Sequence, residues 1–112
     1  MKLPNSEHAL IPREKISGYL LSSTHITGKF KAAFFRAQGY SQVHWKGLEK
    51  DIRSILENDA NYGENTEYGQ KYEVRGHITG PTGKSFLLVT VWIILYGENV
   101  PRFITAFPGE KK

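Results

Sequence analysis

The fold of this chain is decided by the stretch SFLLVTVWIILY, residues 85–96. Its β-branched and aromatic side chains are typical of a β-strand, and a strand without polar alternation is usually covered on both faces. The odd-numbered residues of the stretch lie on one face and the even-numbered residues on the other, since side chains alternate along a strand. The sequence therefore predicts a central strand whose second face is covered by the first helix, a second copy of the chain or a partner protein.

Two further strands flank this central strand, each separated from it by a turn. On the N-terminal side, residues 70–79 alternate apolar and polar side chains, the pattern of a half-buried strand, and residues 80–83 (GPTG) form a turn by composition. On the C-terminal side, a turn at residues 97–99 precedes a strand over residues 100–107, with Pro101 at its start, where a missing N–H costs least. Short connections favour antiparallel neighbours, so we expect a meander of at least three strands.

Helical spacing dominates the first half of the chain. Residues 12–21 place apolar side chains three and four residues apart after Pro12, a favoured first helical residue. A second helix is predicted from about residue 27 to Gly39, a residue type that terminates helices. Its predicted apolar face consists of Phe30, Ala33, Phe34 and Ala37.

A third helix is predicted from an N-cap at Ser41 to about residues 58–61. Glu49 and Arg53 form a favourable i,i+4 pair on its surface. The polar segment 62–69 that follows is predicted to be a loop or a short edge strand. The amphipathic stripe of the helix consists of Trp45, Leu48, Ile52, Ile55 and Leu56.

These elements predict an α+β fold, with about three N-terminal helices packed on one face of a C-terminal antiparallel β-meander of at least three strands. The length of 112 residues fits a single domain over residues 1–112. We expect the N-terminal segment 1–11 and the tail 109–112 to be irregular.

Composition narrows the classes of function. The chain has no cysteine, which excludes disulfides, thiolate catalysis and cysteine-ligated zinc. Its formal net charge of +4 permits an anionic partner such as RNA, although many small proteins carry such a charge for solubility alone. Residues 1–11 lack a signal-peptide pattern, and the apolar run 86–96 is too short to span a membrane. We expect a cytoplasmic protein without membrane contact, secreted only as part of a toxin or by a toxin-delivery system.

Spacing argues against several common sites. Residues 80–85 (GPTGKS) fail as a phosphate-binding loop, because Ile78 occupies the position of the first glycine and a strand follows where a helix is required. No nucleophile elbow and no dinucleotide-binding glycine pattern is present. The histidines lack the spacing of a metal site, and they are His8, His25, His44 and His77. We therefore expect neither a metal nor a cofactor.

Two groups of residues have the chemistry of a phosphate site. His25 is followed closely by Lys29 and Lys31. A neutral imidazole can accept a proton from a ribose 2′-hydroxyl, and a lysine can stabilise charge on phosphate oxygens; a capping histidine beside surface lysines is the alternative. Arg102 and Thr105 form the second group, since arginine binds phosphate in a bidentate fork. In a regular strand their side chains point to opposite faces, so either a bulge at the start of the strand re-aims one of them or Arg102 is a plain edge-strand charge.

Three segments carry a family resemblance: LPN (3–5) with EK (14–15) and YLL (19–21); His25 with GKFKAAFF (28–35) and Gly39; and VW (91–92) with VPRFITAFP (100–108). These segments resemble an uncharacterised bacterial domain family that occurs as small free-standing proteins and at the C-termini of large secreted toxins. That family is similar to the barnase, EndoU, colicin and RelE-type ribonucleases. The resemblance implies N-terminal helices on an antiparallel meander, and RNA cleavage without metal through attack by the 2′-hydroxyl.

The resemblance also implies a site. Four residues would carry the chemistry, namely His25 as general base or acid, Lys31 on the phosphate charge, Arg102 on the scissile phosphate and Thr105 in support. Three residues would bind substrate, namely Lys29, Trp92 and Phe107. The family usually ends its last strand with a tyrosine before the proline, whereas this chain has Phe107, so a phenol is absent at that position.

The leading functional hypothesis is a metal-independent endoribonuclease of the bacterial toxin type, with RNA as its substrate. Whether the chain is an enzyme stays open at this point. The doubly apolar central strand and the missing tyrosine also fit a non-catalytic interaction domain, either a homodimer or the partner of a toxin or a cognate inhibitor protein. RNA binding without cleavage is the third alternative, and its mark is a salt-sensitive affinity for intact RNA.

Overall fold

The computed structural model describes residues 1–22, 24 and 29–109. Within these residues the helices precede the strands, which confirms the predicted α+β class. The helical elements are a 3-10 turn (Ser6–His8), α1 (Arg13–Lys15), which continues into a π-helical turn (Ile16–Leu20), α2 (Lys29–Ala37) and α3 (Trp45–Ile55). The strands are β1 (Ala60–Asn65), β2 (Gly69–Thr79), β3 (Ser85–Leu95) and β4 (Arg102–Pro108).

The strands form one antiparallel meander in the order β1-β2-β3-β4. β3 contains the predicted central strand and lies between β2 and β4. The predicted turn at residues 80–83 joins β2 to β3, with Gly83 at a φ of 90°, a backbone conformation that favours glycine. β1 lies within and just before the segment predicted as a loop or a short edge strand, so the sheet gains an edge strand beyond the three that side-chain alternation predicts.

The core lies between the helices and one face of the sheet. α3 contributes its predicted stripe, in which Leu48 and Ile52 have no exposed surface. The even-numbered residues of β3 face this core, and Trp92 among them is fully buried. The Trp92 indole N–H donates to Thr90 Oγ1 at 2.8 Å, and the Thr90 hydroxyl donates to the Val74 carbonyl at 2.7 Å. These polar groups are buried with partners, which removes most of the cost of burying them.

The opposite face of the sheet, called the open face below, carries the odd-numbered residues of β3. Val89 is buried there, whereas Val91 and Ile93 are half-buried. On β2, the neighbours of these residues are charged, with Lys71 beside Ile93 and Arg75 beside Val89. Within the described residues, the hydrophobic core lies on the face that carries the even-numbered side chains of β3. Cover of the open face by a second copy of the chain or by a partner protein stays a prediction.

α2 buries a different face from the predicted one. Ala32 and Phe35 have no exposed surface, whereas Ala33 and Ala37 of the predicted face are exposed. Most positions of this helix are apolar, so hydrophobic spacing alone cannot choose the buried face. Tertiary packing against the core makes that choice.

The end of α2 follows the sequence closely. Gly39 has a φ of 101°, and its N–H donates to the Arg36 carbonyl at 2.9 Å. The N–H of Tyr40 donates to the Phe35 carbonyl at 3.2 Å. This pair of bonds is a Schellman motif, which satisfies the last carbonyls of the helix and confirms the predicted role of Gly39.

α3 is shorter than predicted at both ends. It begins at Trp45, and Ser41 Oγ accepts a hydrogen bond from the His44 N–H at 3.3 Å in the preceding turn, so Ser41 does not cap the helix. The helix ends at Ile55 rather than at residues 58–61, since β1 already begins at Ala60.

The N-terminal segment, residues 1–12, runs from the start of β1 to the start of β4 and is called the N-terminal strap below. Lys2 bridges to Asp59, and Leu10 forms a parallel bridge with Arg102. The Leu10 N–H donates to the Pro101 carbonyl at 2.9 Å. The strap contains little regular secondary structure apart from the 3-10 turn, and these bonds fix it to the last strand of the sheet.

In the part of the chain that the structure describes, the helices are all too short or too polar to cross a bilayer.

We expect Tyr40→Phe to make the fold less sensitive to alkali. Burial first, and then its hydrogen bond to Asp51 Oδ2 at 2.6 Å, raise the pKa of the Tyr40 phenol. In the unfolded chain this phenol ionises at about pH 10. The unfolded state therefore binds fewer protons above that pH, and stability falls as pH rises. Urea unfolding at pH 7 and pH 11 measures this loss.

The matched control is Tyr68→Phe, which changes an exposed phenol. At pH 7, Tyr40→Phe should cost about 1 kcal/mol for the lost hydrogen bond, and its loss of stability between the two pH values should be smaller than that of the parent. An unchanged pH dependence in Tyr40→Phe would contradict the assignment.

Candidate phosphate-binding site

Three side chains from distant parts of the chain meet beside β4, the edge strand of the sheet. Lys31 Nζ donates to Tyr19 OH and to Thr105 Oγ1, both at 2.8 Å. Tyr19 OH and Thr105 Oγ1 lie 3.2 Å apart, which completes a triangle of hydrogen bonds. All three residues are half-buried. We call this group the Lys31 cluster.

Each member of the Lys31 cluster directly precedes a residue without exposed surface, which fixes its backbone. These anchors are Leu20, Ala32 and Ala106. The first helix lies where it was predicted, but its second part, which carries Tyr19, is a π-helical turn. Such turns are frequent at functional sites. The cluster is therefore held by packed elements, as a precise binding site requires.

The electrostatics of the cluster favour negative charge. Lys31 Nζ lies 5.2 Å from the centre of the Tyr19 ring and 5.9 Å from that of Phe107. Lys15 Nζ lies 5.8 Å from the Tyr19 ring. Burial pushes the pKa of the Tyr19 phenol upward, but the hydrogen bonds with Lys31 and Thr105 and the charges of both lysines outweigh it, so that the pKa is lowered.

A β-bulge in β4 decides which residues share a face with Thr105. Arg102 pairs with Ile93, and Thr105 pairs with Val91. A step of three residues in β4 therefore spans a step of two residues in β3, and Ile104 is the extra residue of the bulge. Positions two apart on β3 lie on the same face. Arg102 and Thr105 therefore both lie on the open face, whereas in a regular strand they would lie on opposite faces.

Arg102 is on the same face as Thr105 but does not touch the Lys31 cluster. Its Nε and Nη2 donate to the two carboxylate oxygens of Glu98, both at 3.0 Å. Arg102 and Thr105 pair with β3 positions that are two residues apart, a separation of roughly 7 Å along a strand. Once released from Glu98, the guanidinium can thus reach a phosphate bound at Thr105.

The other predicted residues divide into three groups. Phe107 is half-buried beside the Lys31 cluster. Trp92, predicted to bind substrate, is instead a core residue with no exposed surface, packed edge-on against Phe103 at 5.3 Å. A ring enclosed in this way cannot contact a substrate, so that prediction is wrong. His25 and the side chain of Lys29 lie outside the described residues.

Tyr19 is the member of the cluster that the sequence analysis missed. Its helical spacing with Ile16 and Leu20 assigned it to an apolar face. A tyrosine at the margin of such a face often keeps its hydroxyl near the surface, and this was the available signal. Its partner Thr105 is 86 positions away in sequence, a relation that local spacing does not encode.

The Lys31 cluster has the chemistry of an oxyanion site. It combines one ammonium group with two hydroxyl groups. A half-buried position excludes part of the water and strengthens the attraction for an anion. Among the residues that the structure describes, no three His, Asp or Glu side chains are grouped so as to hold a metal ion.

The arrangement of helices and sheet is shared with a known structure. A chain of the solved structure described as "Contact-dependent growth inhibition toxin - immunity protein complex from Klebsiella pneumoniae 342" aligns with a TM-score of 0.70. The alignment covers 95% of this chain and 97% of that chain at 15% sequence identity. The likeness at this identity concerns the fold.

The sequence places the chain in a family. It belongs to the family described as domain of unknown function DUF6883, whose model matches residues 2–110. The comparison with curated proteins gave no match.

Proposed function

We propose that this chain is an endoribonuclease of the bacterial toxin type, which cleaves RNA without metal through attack of the ribose 2′-hydroxyl on the adjacent phosphate. The observation that carries the proposal is the Lys31 cluster, in which a lysine is fixed by two hydroxyls beside an open sheet face. Preorganised donors of this kind stabilise the charge that develops on phosphate oxygens in the transition state.

The roles follow from the chemistry of each group. Lys31 and Thr105 bind the nonbridging oxygens of the scissile phosphate. Arg102 leaves Glu98 and adds a bidentate contact to the same phosphate, for which its planar guanidinium is suited. His25, assigned by resemblance, takes the proton of the 2′-hydroxyl. Phe107 offers a half-buried ring for the ribose or base.

Two further observations support the proposal at a coarser level. The formal net charge of +4 favours an anionic substrate. The structural neighbour is described as a complex of a growth-inhibition toxin and its immunity protein. This second argument is an analogy of fold, and the same fold can carry other functions.

The experiment that tests the proposal is cleavage of a mixed RNA by the purified chain in excess chelator, with His25→Ala and Arg102→Ala in parallel. We expect the parent to cleave and both variants to lose about 10²-fold or more of the rate, as for the removal of a general base or a transition-state donor. Lys50→Ala, which removes an exposed lysine of α3, is the control for net charge and should cleave like the parent.

Two outcomes would reject the proposal. If the parent did not cleave RNA, the proposed ribonuclease function would be wrong. Equal cleavage by the parent, His25→Ala and Arg102→Ala would indicate a contaminating nuclease. Salt-sensitive binding of uncleaved RNA would instead support an RNA-binding module.

An interaction protein is the second candidate function, and the open face is the observation that favours it. Its half-buried Val91 and Ile93 form an apolar strip beside the charged Lys71, and an apolar patch with a polar rim is a feature of protein interaction sites. In this reading the chain is a homodimer or one member of a toxin–immunity pair. Light scattering at high concentration separates a dimer from a monomer.

A further inference from the structure

We propose that Tyr19 is the general acid that protonates the leaving 5′-oxygen during RNA cleavage. This inference rests on the ribonuclease function proposed above and assigns one more catalytic group to it. The assignment follows from the contacts of the Lys31 cluster and from the difference between its two hydroxyl groups.

The first step of the argument concerns which group can release a proton. Lys31 donates to both Tyr19 OH and Thr105 Oγ1. A phenol ionises at about pH 10, whereas the alcohol of a threonine holds its proton far more strongly. Of the two hydroxyls at the site, that of Tyr19 is therefore the one able to act as an acid.

The second step concerns the charge left behind. After proton transfer, Tyr19 carries a phenolate whose oxygen lies 2.8 Å from Lys31 Nζ. The ammonium of Lys15 lies 5.8 Å from the centre of the ring of the same residue. Both charges stabilise the phenolate, in agreement with the lowered pKa of this phenol. Phe107, the aromatic residue of β4 near Lys31, has no hydroxyl with which to serve.

The chemical step balances with these groups. The 2′-oxygen attacks phosphorus and gives its proton to the general base, and the O2′–P bond forms. The P–O5′ bond breaks, and its electron pair takes the proton of Tyr19. The products are a 2′,3′-cyclic phosphate and a free 5′-hydroxyl. Tyr19 then recovers its proton from water.

The decisive experiment compares two substrates in Tyr19→Phe. One is an ordinary RNA oligonucleotide, and the other carries sulfur in place of the 5′-bridging oxygen at the cleavage position. A thiolate leaves without a proton, so the second substrate needs no general acid. We expect Tyr19→Phe to lose about 10²-fold or more on the oxygen substrate and to cleave the sulfur substrate within a few-fold of the parent.

Two controls sharpen the comparison. Lys31→Met should be slow on both substrates, because phosphate stabilisation is needed in either case. Tyr68→Phe, which alters an exposed phenol, should match the parent on both. Thermal unfolding establishes that each variant is folded.

Each outcome decides a different question. Failure of the parent on ordinary RNA rejects the ribonuclease function, and the inference falls with it. If the parent cleaves RNA and Tyr19→Phe is either fully active or equally slow on both substrates, Tyr19 is not the general acid. The ribonuclease function is then unaffected. If Tyr19→Phe does not fold, the test is made on the parent chain with every tyrosine replaced by 3-fluorotyrosine, whose phenol is more acidic. The pH dependence of its cleavage rate is compared with that of the parent. The alkaline limb of its pH–rate profile must move to lower pH, and an unmoved limb overturns the inference.

Discussion

Lys31→Met is expected to lower kcat/KM for RNA cleavage by about 10²- to 10³-fold, the loss found when one preorganised donor is removed from a transition state. The reason lies in the hydrogen bonds of the cluster, since Lys31 Nζ joins Tyr19 to Thr105 at 2.8 Å each. Methionine keeps most of the length and the apolar stem of lysine but has no charge and no donor. Steady-state kinetics on a fluorogenic RNA measure the change.

The control for Lys31→Met is Lys50→Met on α3, which removes the same charge from an exposed position. It should reduce activity only through the weaker long-range attraction for RNA, an effect that fades as salt rises. The loss in Lys31→Met should persist at high salt, because that ammonium is half-buried and acts at short range. Equal losses in the two lysine variants, or losses that vanish together in salt, would mean that net charge alone matters.

Trp92→Ala is expected to cost about 3–5 kcal/mol of stability, the range for removing a large buried aromatic side chain. Trp92 has no exposed surface, packs against Phe103 and donates to Thr90. Many domains of this size have only about 5–15 kcal/mol in total, so the variant should be close to unfolding at room temperature. Urea unfolding followed by circular dichroism measures the loss.

Trp92→Phe is the graded control for this prediction. It keeps an aromatic ring in the core but removes the indole N–H, so about 1 kcal/mol should be lost for the hydrogen bond to Thr90, together with a smaller packing loss. If Trp92→Ala instead kept its stability and lost RNA binding, the placement of this ring in the core would be wrong and the original substrate-binding prediction would be right.

The elements of this fold follow from local sequence signals. The spacing and composition of residues close in sequence predicted three features that the structure confirms. These are the stripe of α3, the turn at residues 80–83 and the alternation in β2. Gly39 ends α2 because its left-handed backbone conformation is compatible with few other residues. The Glu49–Arg53 ion pair is present at 3.0 Å, since i,i+4 residues face each other on any helix.

The site depended on features that local signals do not contain. The bulge around Ile104 has no glycine or other marker in the sequence, yet it alone puts Arg102 and Thr105 on one face. Tyr19 was assigned to an apolar face by its spacing with Ile16 and Leu20, and its hydrogen-bond partners lie on other elements. Trp92 was assigned to substrate binding by the family resemblance, whereas the structure buries its ring in the core.

The contacts of the N-terminal strap and of the Lys31 cluster constrain the order in which a newly made chain can finish folding. The meander pairs each strand with its neighbour in sequence and can form early from local hairpins. The strap, by contrast, binds to Pro101 near the end of the chain, and Lys31 must wait for Thr105. During translation from the N-terminus, the half of the chain that carries Lys31 and Tyr19 is therefore made long before β4. The Lys31 cluster therefore stays unassembled until β4 has been made, and chains that stop before β4 lack it.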